Sequence, residues 1–339
     1  MRRLAPGRLL RARHQAGPAA RRQPGCHRRK LHRGLPVSGP VIAVDWGTSS
    51  FRAYRLDAQG GIAERRESAG GILRVRGGDF AAALQAEVGD WLAAAPDALV
   101  VMSGMIGSRQ GWREVPYVAC PAEPEEIAAG LERVDWGEGE AWIVPGLLDE
   151  SRPGQPDVMR GEETQVLGAL AALPNGGGLV CLPGTHSKWV RVESGVLQSF
   201  ATYMTGEVFD LLQGHSILSR LMTKGAVAVD RWFLEGVAVG QGGGLLNRLF
   251  SARSRALTGN LPEDAVRSYL SGLLIGDELA SAVPAAPTEV HLLGAPTLAA
   301  LYEAALAKLG HSVVRLDADA VAVGLHGLAG HLDAAGRAP

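Results

Sequence analysis

The sequence predicts a two-domain α/β protein with two similar halves and a cleft between them. Three observations carry this expectation. At 339 residues the chain exceeds the size at which a single hydrophobic core usually stops growing. A buried strand, a turn rich in hydroxyls and glycine and a second strand follow one another twice, over 41–56 and 178–192, about 140 residues apart. The last part of the chain, 289–328, alternates strands and helices.

Composition supports an ordered body. Hydrophobic residues make up 46% and charged residues 20%, enough to build a large core. The net charge of −1 hides a split: residues 1–40 hold ten Arg, one Lys and no acid, which leaves 23 basic against 35 acidic residues in the remainder. The head is Arg-rich as transit peptides are, yet poor in Ser and Thr, and it has no aromatic residue on which a nucleic-acid base could stack. It reads as a disordered basic extension over 1–39, with no nucleic-acid partner. Cys26, Cys120 and Cys181 have neither disulfide-like nor ligand-like spacing, which fits a reducing, cytoplasmic setting. No apolar run is long enough to cross a membrane; the longest uncharged stretch, 164–187, is broken by Pro174-Asn175-Gly176-Gly177-Gly178.

The elements follow in order. Residues 41–44 are an apolar run, read as a buried strand, and 51–56 and 62–68 are further strands of an antiparallel meander. Phe80, Leu84, Val88, Trp91 and Leu92 recur at helical spacing, and Pro96 ends that helix. Residues 98–102 form another buried strand that runs into the loop Ser103-Gly104-Met105-Ile106-Gly107-Ser108-Arg109. Residues 141–144 read as a strand and 161–173 as a helix stopped by Pro174. In the second half, 178–182, 189–192 and 196–200 are strands. Residues 207–279 are mainly helical, broken at Gly242-Gly243-Gly244. Strands at 289–293 and 312–316 then alternate with helices at 297–309 and 320–328.

The turn Asp45-Trp46-Gly47-Thr48-Ser49-Ser50 exposes consecutive backbone N–H groups and three hydroxyls, a nest suited to phosphate. Asp45 would repel a phosphate unless a divalent cation lay between them, and Mg²⁺ prefers such oxygens. The plain alternative is a hairpin whose hydroxyls satisfy its own backbone. Gly184-Thr185-His186-Ser187-Lys188 repeats the arrangement and adds a cation. No GxxxxGK[ST] loop and no GxGxxG after a strand occurs.

These two turns resemble the first and second phosphate motifs of the actin-like ATPase and sugar kinase superfamily. Val290-His291-Leu292-Leu293-Gly294-Ala295 and the helix after it resemble its adenosine motif, with Ala295-Pro296 in place of the later glycines. Four stretches resemble the signatures of one family, the 2-dehydro-3-deoxygalactonokinases, in the expected order: Ser103-Gly104-Met105-Ile106-Gly107-Ser108, Arg160-Gly161-Glu162-Glu163-Thr164-Gln165, Pro183-Gly184-Thr185-His186-Ser187-Lys188-Trp189 and Thr205-Gly206-Glu207. The resemblance covers about residues 41–330.

The resemblance implies two ribonuclease-H-like domains, over 40–175 and 176–332, with the site in the interdomain cleft. It implies ATP- and Mg²⁺-dependent phosphorylation of 2-dehydro-3-deoxy-D-galactonate at its 6-hydroxyl, a step of galactonate catabolism. In that reading Asp45 directs Mg²⁺ through water, and Gly47, Thr48, Ser49, Ser50, Gly184, Thr185, His186 and Ser187 hold the phosphates. Lys188 adds a point charge or is a plain surface lysine. Gly294, Ala295 and Thr297 border the adenosine. Glu162 is the first candidate for the base, at the place where related sugar kinases carry Asp; Glu163 and Glu207 are alternatives. Ser103, Gly104, Met105 and Ile106 line the sugar pocket with Glu207, although Met105 and Ile106 equally suit a core. Arg109 and Arg160, then Arg113, are candidates for the substrate carboxylate. Trp112, Trp136 and Trp142 read as packing. Two rivals stay open, another small-carbohydrate kinase and a non-catalytic ATP-binding sensor. A homodimer also stays open.

Overall fold

The structure is a computed structural model that describes residues 37–136, 139–223 and 225–336. Apart from residues 37–39, the expected basic extension lies outside them. Strands β1 (Val41–Trp46), β2 (Phe51–Leu56) and β3 (Ile62–Ser68) form an antiparallel meander; α1 (Phe80–Ala94) crosses over, and β4 (Leu99–Gly104) returns parallel to β1. β5 (Val118–Ala119) and α2 (Pro124–Ala129) follow, and β6 (Glu132–Asp135) and β7 (Glu140–Ile143) complete a six-stranded sheet in the order β3-β2-β1-β4-β7-β6. β8 (Leu147–Asp149) and β9 (Asp157–Met159) join β5 in a small sheet, and α3 (Glu162–Ala169) leads out of it.

The second half repeats the pattern. β10 (Gly178–Leu182), β11 (Ser187–Glu193) and β12 (Val196–Tyr203) form a meander. The helices α4 (Thr205–His215), α5 (Arg231–Gly240), α6 (Leu245–Leu257) and α7 (Val266–Ala282) come next. Then β13 (Glu289–Leu292), α8 (Pro296–Lys308), β14 (Ser312–Arg315) and α9 (Ala320–Ala334) end the fold. This sheet runs β12-β11-β10-β13-β14. In both sheets the first strand of the meander pairs in parallel with the strand that follows the helical crossover, α1 in the first half and α4 to α7 in the second. Over five strands the two halves therefore share one strand order and direction, the α/β actin-like arrangement, and β6 is an addition to the first sheet.

Burial explains the strands. β1 has five of its six residues buried because helices or a second layer cover both faces. β3 is an edge strand with mostly exposed residues, blunted by the cross-strand ion pairs Arg52–Glu67 and Arg55–Glu64. One apolar core lies between the sheets and joins Val41 and Val101 of the first to Val180 and Val190 of the second through Val166, Leu325 and Leu328. A second core lies under α1, and a third lies between the second sheet and α7 and α8.

Glycine sets two close helix crossings. A Cβ on Gly236 or Gly240 of α5, or on Gly272 or Gly276 of α7, would stand 2.0–2.4 Å from a carbonyl oxygen of the facing helix. Helices α3 and α9 meet in the same way at Gly168 and Gly324.

Three expectations change. The short strands and helix between residues 118 and 159, apart from β7, carry too little periodicity to be seen in sequence. The helix expected to reach residue 173 ends at Ala169 and tightens into a 3₁₀ turn, Leu170–Ala172. The boundary expected at 175/176 leaves α9 with the second half, whereas its apolar face packs on α3, β1 and β4. The apolar residues of α9 complete the core between the sheets.

Candidate active site

Asp45 stands near the end of β1. Its register partner on the parallel strand β4 is Ser103, and Trp46 lies beside Gly104. Both strands end at one rim, so Asp45 and the loop after β4 border the same space. Gly104 has φ +91°, and a Cβ there would fall 2.8 Å from the Trp46 carbonyl oxygen. Gly161, at φ +105°, leaves room for a Cβ only 3.2 Å from the Gly104 Cα. These two glycines allow the start of α3 to approach the end of β1.

Acids in the first turn of α3 suit its N-terminus. The half-buried Glu162 accepts a hydrogen bond from the Arg160 backbone N–H at 3.1 Å through Oε2. Glu163 is fully buried; its Oε2 accepts from the Gly161 N–H at 2.7 Å, and its Oε1 has no hydrogen-bond partner. Burial pushes the Glu163 carboxyl up to about 8, and the neighbouring Glu162 charge adds to this. A side chain sealed in this way cannot meet a substrate, which sets Glu163 apart from Glu162.

That burial yields a testable sign. An acid with a raised folded pKa favours folding below its unfolded value of 4.5 and loses that contribution as pH rises to about 8. Glu163→Gln is expected to match the wild-type melting temperature near pH 5 and to exceed it by several degrees at pH 9. Thermal unfolding across that range checks this; a difference constant with pH would refute it.

Burial also raises Glu162, while the charges of Lys188 and His186 draw it down. Asp45 is pushed up to about 6 by burial; Arg52, with Nη1 at 3.8 Å from Asp45 Oδ2, opposes this, and Glu162 reinforces it. Glu162 thus lies within electrostatic reach of Asp45 from its own half and of His186 and Lys188 from the other.

Each of the two turns joins a pair of antiparallel strands. In the first, the Gly47 N–H closes on the Ser50 carbonyl at 2.9 Å, and the carbonyls of Gly47 and Thr48 accept from Ile72 and Leu73. Thr48 and Ser49 are exposed. In the second, the Thr185 carbonyl accepts from the Glu207 N–H at 3.0 Å, and Thr185 and His186 are exposed. The His186 ring pairs with the Glu207 carboxylate. Glu207 therefore belongs with this turn. Ser187 is fully buried and shares a 2.8 Å hydrogen bond with the Tyr302 hydroxyl, so its own hydroxyl faces the core. A Cβ on Gly294 would sit 3.2 Å from Pro183 Cδ, which places Gly294, and the exposed Ala295 and Thr297 after it, beside the second turn.

Lys188 is not a surface lysine. It is 6% exposed, and its Nζ donates to the Val158 carbonyl at 3.0 Å and to Thr202 Oγ1 at 2.8 Å. Thr202 in turn donates to Asp157 at 2.6 Å. This strap joins β11 and β12 to β9, just ahead of Glu162. Nothing in the sequence pairs residues 157, 188 and 202; only the fold does.

Beside Asp45, Ser103 is buried with Oγ 3.4 Å from Thr164 Oγ1. Met105 is partly buried, and Ile106 lies wholly in the core under α1. Arg109 is 86% exposed and faces Glu114. Arg160 donates to the Val115 carbonyl at 2.7 Å and lies over the Tyr117 ring, with its Nε and Nη1 buried and without a hydrogen-bond partner. Arg113 bonds the Arg133 carbonyl on the surface. Trp112 packs between Phe80 and Trp136, as expected.

Comparison with known proteins gives the family. The 2-keto-3-deoxy-galactonokinase family matches residues 45–328. The chain is 40% identical over 300 residues to a protein of Rhizobium meliloti assigned as a 2-dehydro-3-deoxygalactonokinase, covering 86% of this chain and 97% of the relative. It is 36% identical over 286 residues to the 2-dehydro-3-deoxygalactonokinase of Escherichia coli K12, covering 84% and 94%. A crystal structure from Sinorhizobium meliloti, with the same assignment, superposes with a TM-score of 0.79 at 37% identity, covering 87% of this chain and 99% of the other. With matches of this length on both sequence and fold, the chain belongs to the 2-keto-3-deoxy-galactonokinase family of carbohydrate kinases.

Proposed function

We propose that the chain transfers the γ-phosphoryl group of ATP to the 6-hydroxyl of 2-dehydro-3-deoxy-D-galactonate, a step of galactonate breakdown. The observation that carries this reading is Glu162. Its carboxylate is half-buried, accepts from the Arg160 N–H, and lies within electrostatic reach of Asp45, His186 and Lys188. Phosphoryl transfer asks for positioning, charge neutralisation and a group that receives the acceptor's proton. Glu162 receives that proton. Thr48 and Ser49 of one turn and Thr185 and His186 of the other hold the phosphates, with Ser50 and Gly184 shaping the turns. Gly294, Ala295 and Thr297 border the adenosine. Closure of the halves over the bound substrates excludes water.

The residues fit Mg²⁺. Among the described residues no group of three or more His, Cys, Asp and Glu side chains could cage a metal. A single carboxylate at the start of a hydroxyl-bearing turn suits an ion that keeps several waters and shares phosphate oxygens. Asp45 would hold it through water, and the bound ion would neutralise phosphate charge. Arg160 is the better placed of the two arginines for the substrate carboxylate, because Arg109 points to solvent while Arg160 is half-buried beside Gly107 of the loop after β4.

A coupled ADP-release assay tests the reading on the full chain with 2-keto-3-deoxy sugar acids and neutral hexoses. The expected outcome is turnover with 2-dehydro-3-deoxy-D-galactonate, abolished by EDTA and restored by Mg²⁺, and none with hexoses. A preferred hexose would point to another carbohydrate kinase. No rate above background with any acid overturns the proposal.

A further inference from the structure

Glu278 on α7 is 2% exposed, and no ion pair accompanies it among the described residues. Three donors from three other elements converge on its carboxylate. The Trp189 indole N–H reaches Oε1 at 2.7 Å, the Tyr302 hydroxyl reaches Oε2 at 2.7 Å, and the Thr205 hydroxyl also binds Oε2. Tyr302 has one hydroxyl hydrogen, and it points to Glu278. The Ser187 hydroxyl shares a 2.8 Å hydrogen bond with Tyr302 and also helps to hold the Glu278 carboxyl down, so Ser187, Tyr302 and Glu278 form one hydrogen-bonded chain.

Both flanks of the second turn rest on this chain. Ser187 opens β11 directly after Thr185 and His186. Thr205 opens α4, whose next residue, Gly206, would carry a Cβ 2.5 Å from the Gly184 carbonyl oxygen, and whose Glu207 N–H bonds the Thr185 carbonyl. Tyr302 comes from α8, the helix that starts beside Pro183. We propose that Glu278 is a positioning residue for the nucleotide: by accepting hydrogen bonds from β11, α4 and α8 it sets the shape of the Gly184-Thr185-His186 turn. This rests on the reading that this turn holds the phosphates of ATP.

The chemistry of the site predicts which substitutions break it. An ionised carboxylate only accepts, which suits three converging donors; an amide would turn N–H groups toward one of them. Burial raises the Glu278 pKa, and its hydrogen bonds from Thr205, Trp189 and Tyr302 oppose that.

Glu278→Gln and Tyr302→Phe are compared with wild type by steady-state kinetics, varying ATP and sugar acid separately. Tyr302→Phe keeps the ring in the core and so serves if Glu278→Gln does not fold. The expected result is a KM for ATP raised on the order of tenfold, with the KM for the sugar acid within about twofold of wild type. Folded variants with both KM values unchanged, or both raised alike, overturn the proposal. Gly206→Ala, which presses directly on the turn, separates the two readings. If it raises the KM for ATP while the Glu278 and Tyr302 variants do not, the turn holds nucleotide and Glu278 does not position it. If none of the three moves that KM, the nucleotide reading of the turn falls as well.

Discussion

Glu162→Gln is expected to lower kcat by about 10²–10⁴, the usual contribution of a positioned base. The substitution keeps the size of the side chain and the oxygen that accepts from the Arg160 N–H, so α3 should keep its start. It removes the ability to take a proton. The KM for ATP should stay within a few-fold of wild type, because among the described residues no hydrogen bond joins Glu162 to the two turns proposed to hold the nucleotide. Glu163→Gln in the same assay should change kcat far less, since that carboxyl is sealed beneath the surface. Steady-state kinetics with ATP binding measured in parallel decides the matter. If Glu162→Gln turns over within a few-fold of wild type while still binding ATP, the proton goes elsewhere.

Gly324→Ala should cost about 3 kcal/mol or more of stability, lowering the melting temperature by roughly 6–12 °C. A Cβ at this position would lie 1.9 Å from the Thr164 carbonyl oxygen, a backbone atom that can move only if α3 moves. Thr164 is two residues past Glu162, so the displacement should also reduce kcat. The control lies on the same helix. Gly327 has no heavy atom within 4 Å of an added Cβ, and Gly327→Ala should stabilise by about 0.5–1 kcal/mol through lost backbone freedom in the unfolded chain. Thermal unfolding of the pair measures both. Equal melting temperatures for the two variants would mean that the α3–α9 crossing adapts.

The two meanders were legible because strands buried on one or both faces and joined by Gly-rich turns carry a strong local signal. β2 runs over 51–56, as its alternation indicates, and β3, mostly exposed, runs over 62–68 after the turn at 57–61. The region around β5, β8 and β9 was not, because strands of two or three residues have no period to detect. The site divides in the same way. Asp45 and the two turns stand in compact motifs and could be proposed from residue type and spacing, whereas Glu162 was proposed from the resemblance of the 160–165 stretch. Lys188 could be named but not understood, since its partners Val158 and Thr202 lie 30 and 14 residues away. Glu278 gave no signal at all: beside Asp277 on an apolar helix, an acid reads as surface until the packing reveals which of the two faces inward.

The sequence by itself determined the class of fold and the repeated turns rich in glycine and hydroxyls, because backbone pattern, hydroxyls and glycine act over a few residues. The tertiary structure alone decided which acid is reachable and which is sealed. It also decided that Lys188 is a buried strap, that Ser187 turns to the core, and that α9 closes the layer between the sheets. Those outcomes depend on burial and on contacts between segments distant in the chain, where local pattern carries no information.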